Sequence, residues 1–302
     1  MLLKEREEVD TVPAVMEEEV LASNREVRIA AVQLAAGPDP HVNVEHAIAL
    51  VERAAKQGAT YVQLPEYFNY RGKTSRYVEI AETIPGPTTA RLADLAKELG
   101  IVLHVGSTFE RSPDPTRTYN TSVVIGPHGG ILATYQKGHL FDVHVPGEVD
   151  YEESRAIVPG DQLVVVDLAD FRLGLSVCFD LRFSETYRQL ALHGATVFAI
   201  PSSFAVPTGR VHWEVLLRAR AIESHAYVVA AAQVGTTDEG VSSYGHSMIV
   251  GPWGEVLAES TSDGEDVIYA TISEEEVARR RAQIDVWHLQ RPDLYDSLDH
   301  GE

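Results

Sequence analysis

The chain contains one cysteine, Cys178, in the stretch GLSVCFDLRFSE, where an apolar run gives way to charged residues. Such a thiol is either a small apolar core side chain or a nucleophile; nucleophilic work requires a base for its proton and a donor for the oxyanion. Two further residues are of complementary type. Glu66, in LPEYF, directly follows the apolar segment Ala59 to Leu64, and Lys137, in YQKGHLFD, follows ILATYQ. A carboxylate can accept the thiol proton, and an ammonium can face the negative oxygen that forms when sulfur adds to a carbonyl. Taken singly, a strand-end Glu or Lys reads as a solvated charge. Three such residues ending three different buried strands could meet at one rim of a sheet.

The elements that would place them follow from hydrophobic periodicity. VRIAAVQL, from Val27, reads as the first buried strand. Val44, Ala47, Ile48, Val51, Ala54 and Ala55 have helical spacing over His41 to Gln57, which Gly58 ends, and a second strand spans Ala59 to Leu64. The pattern predicts a helix over Pro87 to Leu99 and the strand IVLHVGSTFE. A hairpin follows, with TSVVIGP and ILATYQK pairing around HGG. Gly138 to Asp161 reads as irregular. LVVVDL and RLGLSVC lead into a helix over Glu185 to His193 and the strand TVFAIP. A helix around Val211 to His225, YVVAAAQV, a hairpin at GPWG and the strand DVIYATI complete the core.

Cys178 therefore lies at a strand-to-turn-to-helix junction, with Ser184 as a capping hydroxyl and Glu185 in the first helical turn. A turn of that kind lifts a side chain out of the sheet and leaves backbone N–H groups for anionic charge. Strands outnumber what a three-layer sheet needs, and hairpins interleave with β-α units. The expected class is α/β, with two mixed sheets face to face under outer helices. No linker or short repeat divides the chain: residues 1–25 read as an acidic arm, 26–285 as one domain, and 286–302 as an extended tail.

Composition narrows the function. The 302 residues, 44% of them hydrophobic, suffice for a large core. A single cysteine allows no internal disulfide, which fits a reducing compartment, and the cytoplasm is the expected location. The opening MLLKEREEVDTVPAVMEEEV lacks the apolar segment of a secretory signal, and no apolar run approaches the ~20 residues of a membrane helix. A formal net charge of −20 disfavours nucleic acid as a partner, because such a surface repels a polyanion.

LPEYF around Glu66, YQKGHLFD around Lys137 and SVCFDLRFSE around Cys178 together resemble, in order, the three signature regions of the nitrilase superfamily, the carbon–nitrogen hydrolases. The resemblance runs from about Val27 to QRPDLY. It implies a four-layer α-β-β-α sandwich, assembly into homodimers or larger oligomers, and no cofactor or metal. It implies Cys178 as nucleophile, Glu66 as base and Lys137 as cationic partner, with a second glutamate nearby: Glu153 of DYEES, ahead of Glu152. The backbone N–H of Phe179 would join Lys137 at the oxyanion. Arg182 would contact a substrate carboxylate or else form a structural ion pair holding the cysteine turn, and Asp180 would orient that turn. Proline is frequent in the family where this chain has Ser184, a change that leaves the triad untouched. Tyr119 and Asn120 of YNTS read as strand structure. The expected substrate is a small amide, most similar to those of amidases acting on ω-amides of dicarboxylic acids and on deaminated glutathione; the alternatives are N-carbamoyl amino-acid hydrolase and nitrilase.

Three other readings compete on the residues alone. A Cys–His hydrolase would use one of the twelve histidines as base. His139, Asp142 and His144 could be read as metal ligands on one strand face. A non-catalytic binding protein could retain the fold with an inert Cys178.

Overall fold

The computed structural model describes residues 25–295 except 146, 148, 238 and 262. The acidic arm thus lies outside the described residues apart from Arg25, as does the end of the tail. The first half of the chain runs β1 (Val27–Gln33), α1 (Pro40–Lys56), β2 (Tyr61–Gln63), α2 (Tyr77–Ile80), α3 (Pro87–Leu99), β3 (Val102–Arg111), β4 (Thr118–Ile125) and β5 (Ile131–Gln136). A hairpin of β6 (Asp142–Val145) and β7 (Val149–Glu152) follows, then β8 (Val165–Asp167) and β9 (Arg172–Leu175). The second half continues with α4 (Ser184–Leu192), β10 (Val197–Ala199), α5 (Val206–Ser224), β11 (Tyr227–Ala230), β12 (Val234–Thr236) and β13 (Ser242–Tyr244). It ends with β14 (Met248–Val250), β15 (Val256–Glu259), β16 (Asp266–Ile272), α6 (Glu274–Gln283) and the short α7 (Pro292–Tyr295).

Two six-stranded sheets result, ordered β16-β1-β2-β3-β4-β5 and β15-β14-β11-β10-β9-β8. Each has three parallel strands, β1, β2, β3 in one and β9, β10, β11 in the other, flanked by antiparallel neighbours. The two halves of the chain therefore repeat one topology although no short repeat is visible in the residues. Along β1 the period of two sends Val27, Ile29 and Ala31 into the core shared with the second sheet, and Ala30 and Val32 into the core under α1 and α3. Strands buried on both faces explain their continuous apolar reading. With α4 and α5 packed outside the second sheet through Leu190, Trp213, Leu217 and Ala221, the layers are α-β-β-α, as expected.

Polar groups also bridge the two sheets. Gln63 donates to Val229 O at 2.9 Å, Tyr61 Oη donates to Gln63 Oε1 at 2.9 Å, and His104 links Tyr61 to Ser122. Burial lowers His104 to a pKa of about 3, so the imidazole is neutral and exchanges hydrogen bonds rather than charge.

Two expectations are corrected. Gly138 to Asp161 is not irregular throughout, because it holds the β6–β7 hairpin and then a 3-10 turn over Glu153–Arg155. Turn residues there had masked two short strands. Over the described residues 286–295 the tail is not extended: it turns at 286–289 and forms α7, while Trp287 packs beneath the guanidinium groups of Arg188 and Arg281 of its own chain.

One glycine places the loop that carries Glu66. β3 shifts register between Val105 and Thr108, and a Cβ on Gly106 would lie 2.1 Å from Leu64 O and 2.3 Å from Pro65 O. The loop crosses β3 at this point, pinned by Leu64 N to His104 O at 2.9 Å and Tyr67 N to Ser107 Oγ at 3.1 Å. Gly106→Ala forces backbone apart from backbone and is expected to cost about 3 kcal/mol, the upper end for overpacking, read as a lower midpoint in denaturant unfolding. An unchanged midpoint would show that the loop can shift freely.

Candidate active site

Glu66, Lys137, Glu153 and Cys178 meet at the floor of a cleft of about 930 Å³. Glu66 follows β2, Lys137 follows β5, Cys178 lies just past β9, and Glu153 sits in the 3-10 turn after β7. Strands β2 and β5 are in one sheet and β9 is in the other, so the cluster forms only when the sheets are packed face to face. All four residues are buried.

Lys137 Nζ is the hub. It donates to Glu66 Oε1 at 3.0 Å and to Glu153 Oε1 and Oε2 at 3.0 and 2.8 Å. Burial alone depresses the ammonium, but the carboxylates of Glu153 and Glu66 outweigh it and hold Lys137 well above its ordinary value. Each carboxylate is itself fixed by neutral donors. Glu66 accepts from Asn120 Nδ2 at 2.9 Å and Ser203 N at 2.8 Å. Glu153 accepts from Tyr67 Oη at 2.6 Å and Phe141 N at 2.7 Å.

Cys178 has φ = +50°, a left-handed conformation rare for a residue with a side chain. The turn is held by Cys178 N to Pro201 O at 3.0 Å and runs into the 3-10 segment Cys178–Arg182, whose first-turn N–H at Phe179 has no acceptor within the helix. Burial, and after it the adjacent Glu66 carboxylate, push the thiol well above its ordinary value; Lys137 and the Ser203 backbone act in the opposite direction. The charges acting on sulfur come from Glu66 and Lys137 rather than from an imidazole, which removes the reason for a Cys–His reading.

Asp180 ties the cysteine's turn to the lysine's strand. Its buried carboxylate accepts from Val177 N (2.8 Å), Tyr135 Oη (2.8 Å), His139 N (2.9 Å) and His139 Nδ1 (2.7 Å). With His139 on Asp180, Asp142 on Ser154 N and His144 beside Asp150, the three candidate metal ligands face different partners. Among the described residues no group of three or more His, Cys, Asp or Glu is placed to hold a metal.

Arg182 is half-buried and, among the described residues, makes no hydrogen bond to the cluster, although its charge is felt at Cys178. Its guanidinium lies over the Phe179 and Phe204 rings and contacts His212 Nδ1 at 3.3 Å, and among the described residues it pairs with no carboxylate, Glu185 included. Three residues at the site carried no assignment from sequence. Asn120 was read as plain strand, yet its amide fixes Glu66. Tyr67, with φ = +55°, reaches Glu153, and Ser203 follows β10 at the same rim as Cys178. For Ser203 the signal was present, since residues just past parallel strands line such rims; for Asn120 and Tyr67 the partner is remote in sequence.

The arrangement has the parts for adding a thiol to a carbonyl: a buried carboxylate beside sulfur, a cation beside the carboxylate, and a cleft that admits a small molecule. Comparison with known proteins agrees. The family model described as Carbon-nitrogen hydrolase matches residues 28–282. A human protein named omega-amidase NIT2 is 40% identical over 268 residues, covering 89% of this chain and 96% of its own length. The crystal structure of Saccharomyces cerevisiae Nit3, described as a member of branch 10 of the nitrilase superfamily, superimposes with a TM-score of 0.80 at 30% identity, covering 88% of this chain and 97% of Nit3. A glutamate-to-glutamine mutant of the amidase from Nesterenkonia sp. AN1, showing covalent addition of the acetamide moiety of fluoroacetamide at its active-site cysteine, gives a TM-score of 0.73 at 28% identity, covering 89% of this chain and 95% of that one.

The charges around sulfur make opposite predictions for two substitutions. Glu66→Gln removes a like charge and should move the pH profile of Cys178 alkylation to lower pH; Lys137→Ala removes the stabilising cation and should move it higher. Iodoacetamide labelling rates from about pH 6 to about pH 10 test this, and a shift of both variants in one direction would contradict the assignment.

Proposed function

This chain belongs to the carbon–nitrogen hydrolase family, and from that premise we propose how its residues divide the reaction. The enzyme hydrolyses the carbon–nitrogen bond of a small amide through a cysteine thioester, releasing ammonia and a carboxylic acid. Glu66 accepts the Cys178 proton as sulfur attacks the carbonyl carbon. The thiol's raised pKa fits this order, because the proton leaves only when attack consumes the thiolate. The tetrahedral oxyanion faces Lys137 Nζ and the Phe179 N–H, donors already oriented and shielded from water. Glu66 returns the proton to the departing nitrogen, ammonia leaves, and Glu66 then activates the water that opens the thioester. Glu153 keeps Lys137 charged and aimed.

The observation that carries this reading is Lys137 held between two buried carboxylates beside a cysteine in a left-handed turn. The substrate we propose is an ω-amide of a small dicarboxylic acid. The human ω-amidase relative supports it, as does Arg182, a half-buried cation near sulfur without an acid partner among the described residues. Arg182 would take the acyl chain's carboxylate.

We further propose that the protein acts in the cytoplasm as a homodimer or larger homo-oligomer. Val211, Val215 and Ile222 are 66%, 65% and 48% exposed along one side of α5, an apolar stripe suited to a second copy of the chain. The tail from residue 286 is proposed to add to that contact. Among the described residues no helix is long and apolar enough to cross a membrane.

An ammonia-release screen over ω-amides, N-carbamoyl amino acids and nitriles tests the substrate. The ω-amides should lead, Cys178→Ala should be inactive yet folded, and Lys137→Ala should lose about a hundred- to a thousandfold in kcat. Full turnover by Cys178→Ala would sink the mechanism. Val215→Glu should lower the mass measured by light scattering; a monomeric parent protein would refute the assembly.

A further inference from the structure

Arg71 is a buried cation that the proposed mechanism does not use. It follows the Glu66 loop, is 6% exposed and lines the same cleft. Its Nη1 donates to Val234 O at 3.0 Å, and its Nη2 to Gly235 O at 3.4 Å and Ser243 Oγ at 2.8 Å. All three acceptors are uncharged, and among the described residues Arg71 forms no ion pair. Buried charges are ordinarily paired, because removing a guanidinium from water is costly. That cost is visible here: burial pushes Arg71 down to about 10. The guanidinium carries five N–H donors, and the three hydrogen bonds leave one on Nε and one on Nη1 without a partner among the described residues; Nε is not fully enclosed.

Arg71 is wired to the base. Ser243 Oγ, which accepts from Arg71, lies 2.9 Å from Ser203 Oγ, and Ser203 N donates to Glu66 Oε2 at 2.8 Å. Arg182 instead contacts Phe179, Phe204 and His212, on the nucleophile's side. Among the described residues, the two arginines have separate partners and neither has an acid in contact. A guanidinium with spare N–H groups suits a carboxylate through charge-assisted hydrogen bonds, and Arg71 has one such donor on Nε and one on Nη1.

We propose that Arg71 is a second anion-binding subsite of the cleft, so that the preferred amide carries two carboxylates, one for each arginine. This rests on the proposed role of Arg182 as the contact for the first. The rival use of Arg71 is as distant counter-charge to the acid cluster, in which Glu66 and Glu153 outnumber Lys137.

The test compares three primary amides at fixed ionic strength: butyramide, the monoamide of butanedioic acid, and a monoamide of a tricarboxylic acid. The wild-type enzyme should rank them in rising kcat/KM. In Arg71→Met the loss should follow the second charge, about ten- to a hundredfold for the dianion and carried by KM, and least for butyramide. Arg71→Lys should recover part of it. Equal losses on all three amides, or an undiminished preference for the dianion, would overturn the proposal. Should Arg71→Met fail to fold, competitive inhibition of the wild-type enzyme decides: a tricarboxylate should bind more tightly than butanedioate, and equal inhibition constants reject the subsite. A wild-type enzyme that treats butyramide and the monoanion alike would instead refute the ω-amide reading, whatever Arg71 does.

Discussion

The structure depends on one ammonium held between two carboxylates, all three almost wholly enclosed by protein. Lys137, Glu66 and Glu153 are each at most 2% exposed as side chains. A charge buried in that way is tolerated only when every lone pair and proton has a partner. Here Asn120, Ser203, Tyr67 and the Phe141 N–H supply those partners, so the cluster fixes residues from several separate segments as well as its own members. Removing one partner leaves an unpaired charge in a low-dielectric site, which makes the cluster rigid. Rigidity suits the oxyanion role proposed for Lys137, since a cation that must reorganise during a reaction stabilises its transition state less.

The sandwich exists to bring those segments together. Glu66 and Lys137 ride on one sheet, Cys178 and Ser203 on the other, and the repeated topology puts the ends of the parallel strands β2, β9 and β10 at a common rim. Asp180 reinforces the junction by accepting hydrogen bonds from both the cysteine's turn and the residues flanking Lys137. Gly106 permits the loop before Glu66 to pass over β3 where any side chain would collide with backbone. Sheet packing, turn strain and charge pairing therefore serve one geometric end.

Much of this was legible in the residues. Strand and helix positions followed from periodicity, the two-sheet class was suggested by the surplus of strands, and the roles of Cys178, Glu66 and Lys137 were implied by the family resemblance of their motifs. What escaped was set by contacts between distant segments. Asn120 looked like an ordinary strand residue because its partner, Glu66, is 54 positions away. The β6–β7 hairpin was hidden because its strands are only four residues each and interrupted by turn formers. The tail's turn depends on Trp287 finding Arg188 and Arg281, pairings that no local pattern announces.

The sequence by itself determined which side chains are available and the position of most strands and helices, because periodicity and turn chemistry act over a few residues. It also settled the family, since three ordered motifs are not matched by chance. Only the tertiary structure decided that Glu153 joins Glu66 in contact with Lys137, while Glu152 pairs with Arg155. It likewise decided that Arg71 lines the cleft while Arg182 lies over Phe179 and Phe204, and that the thiol's proton is held by burial and a neighbouring carboxylate. Those outcomes depend on distances and on exclusion of water, which arise when two sheets close on one another.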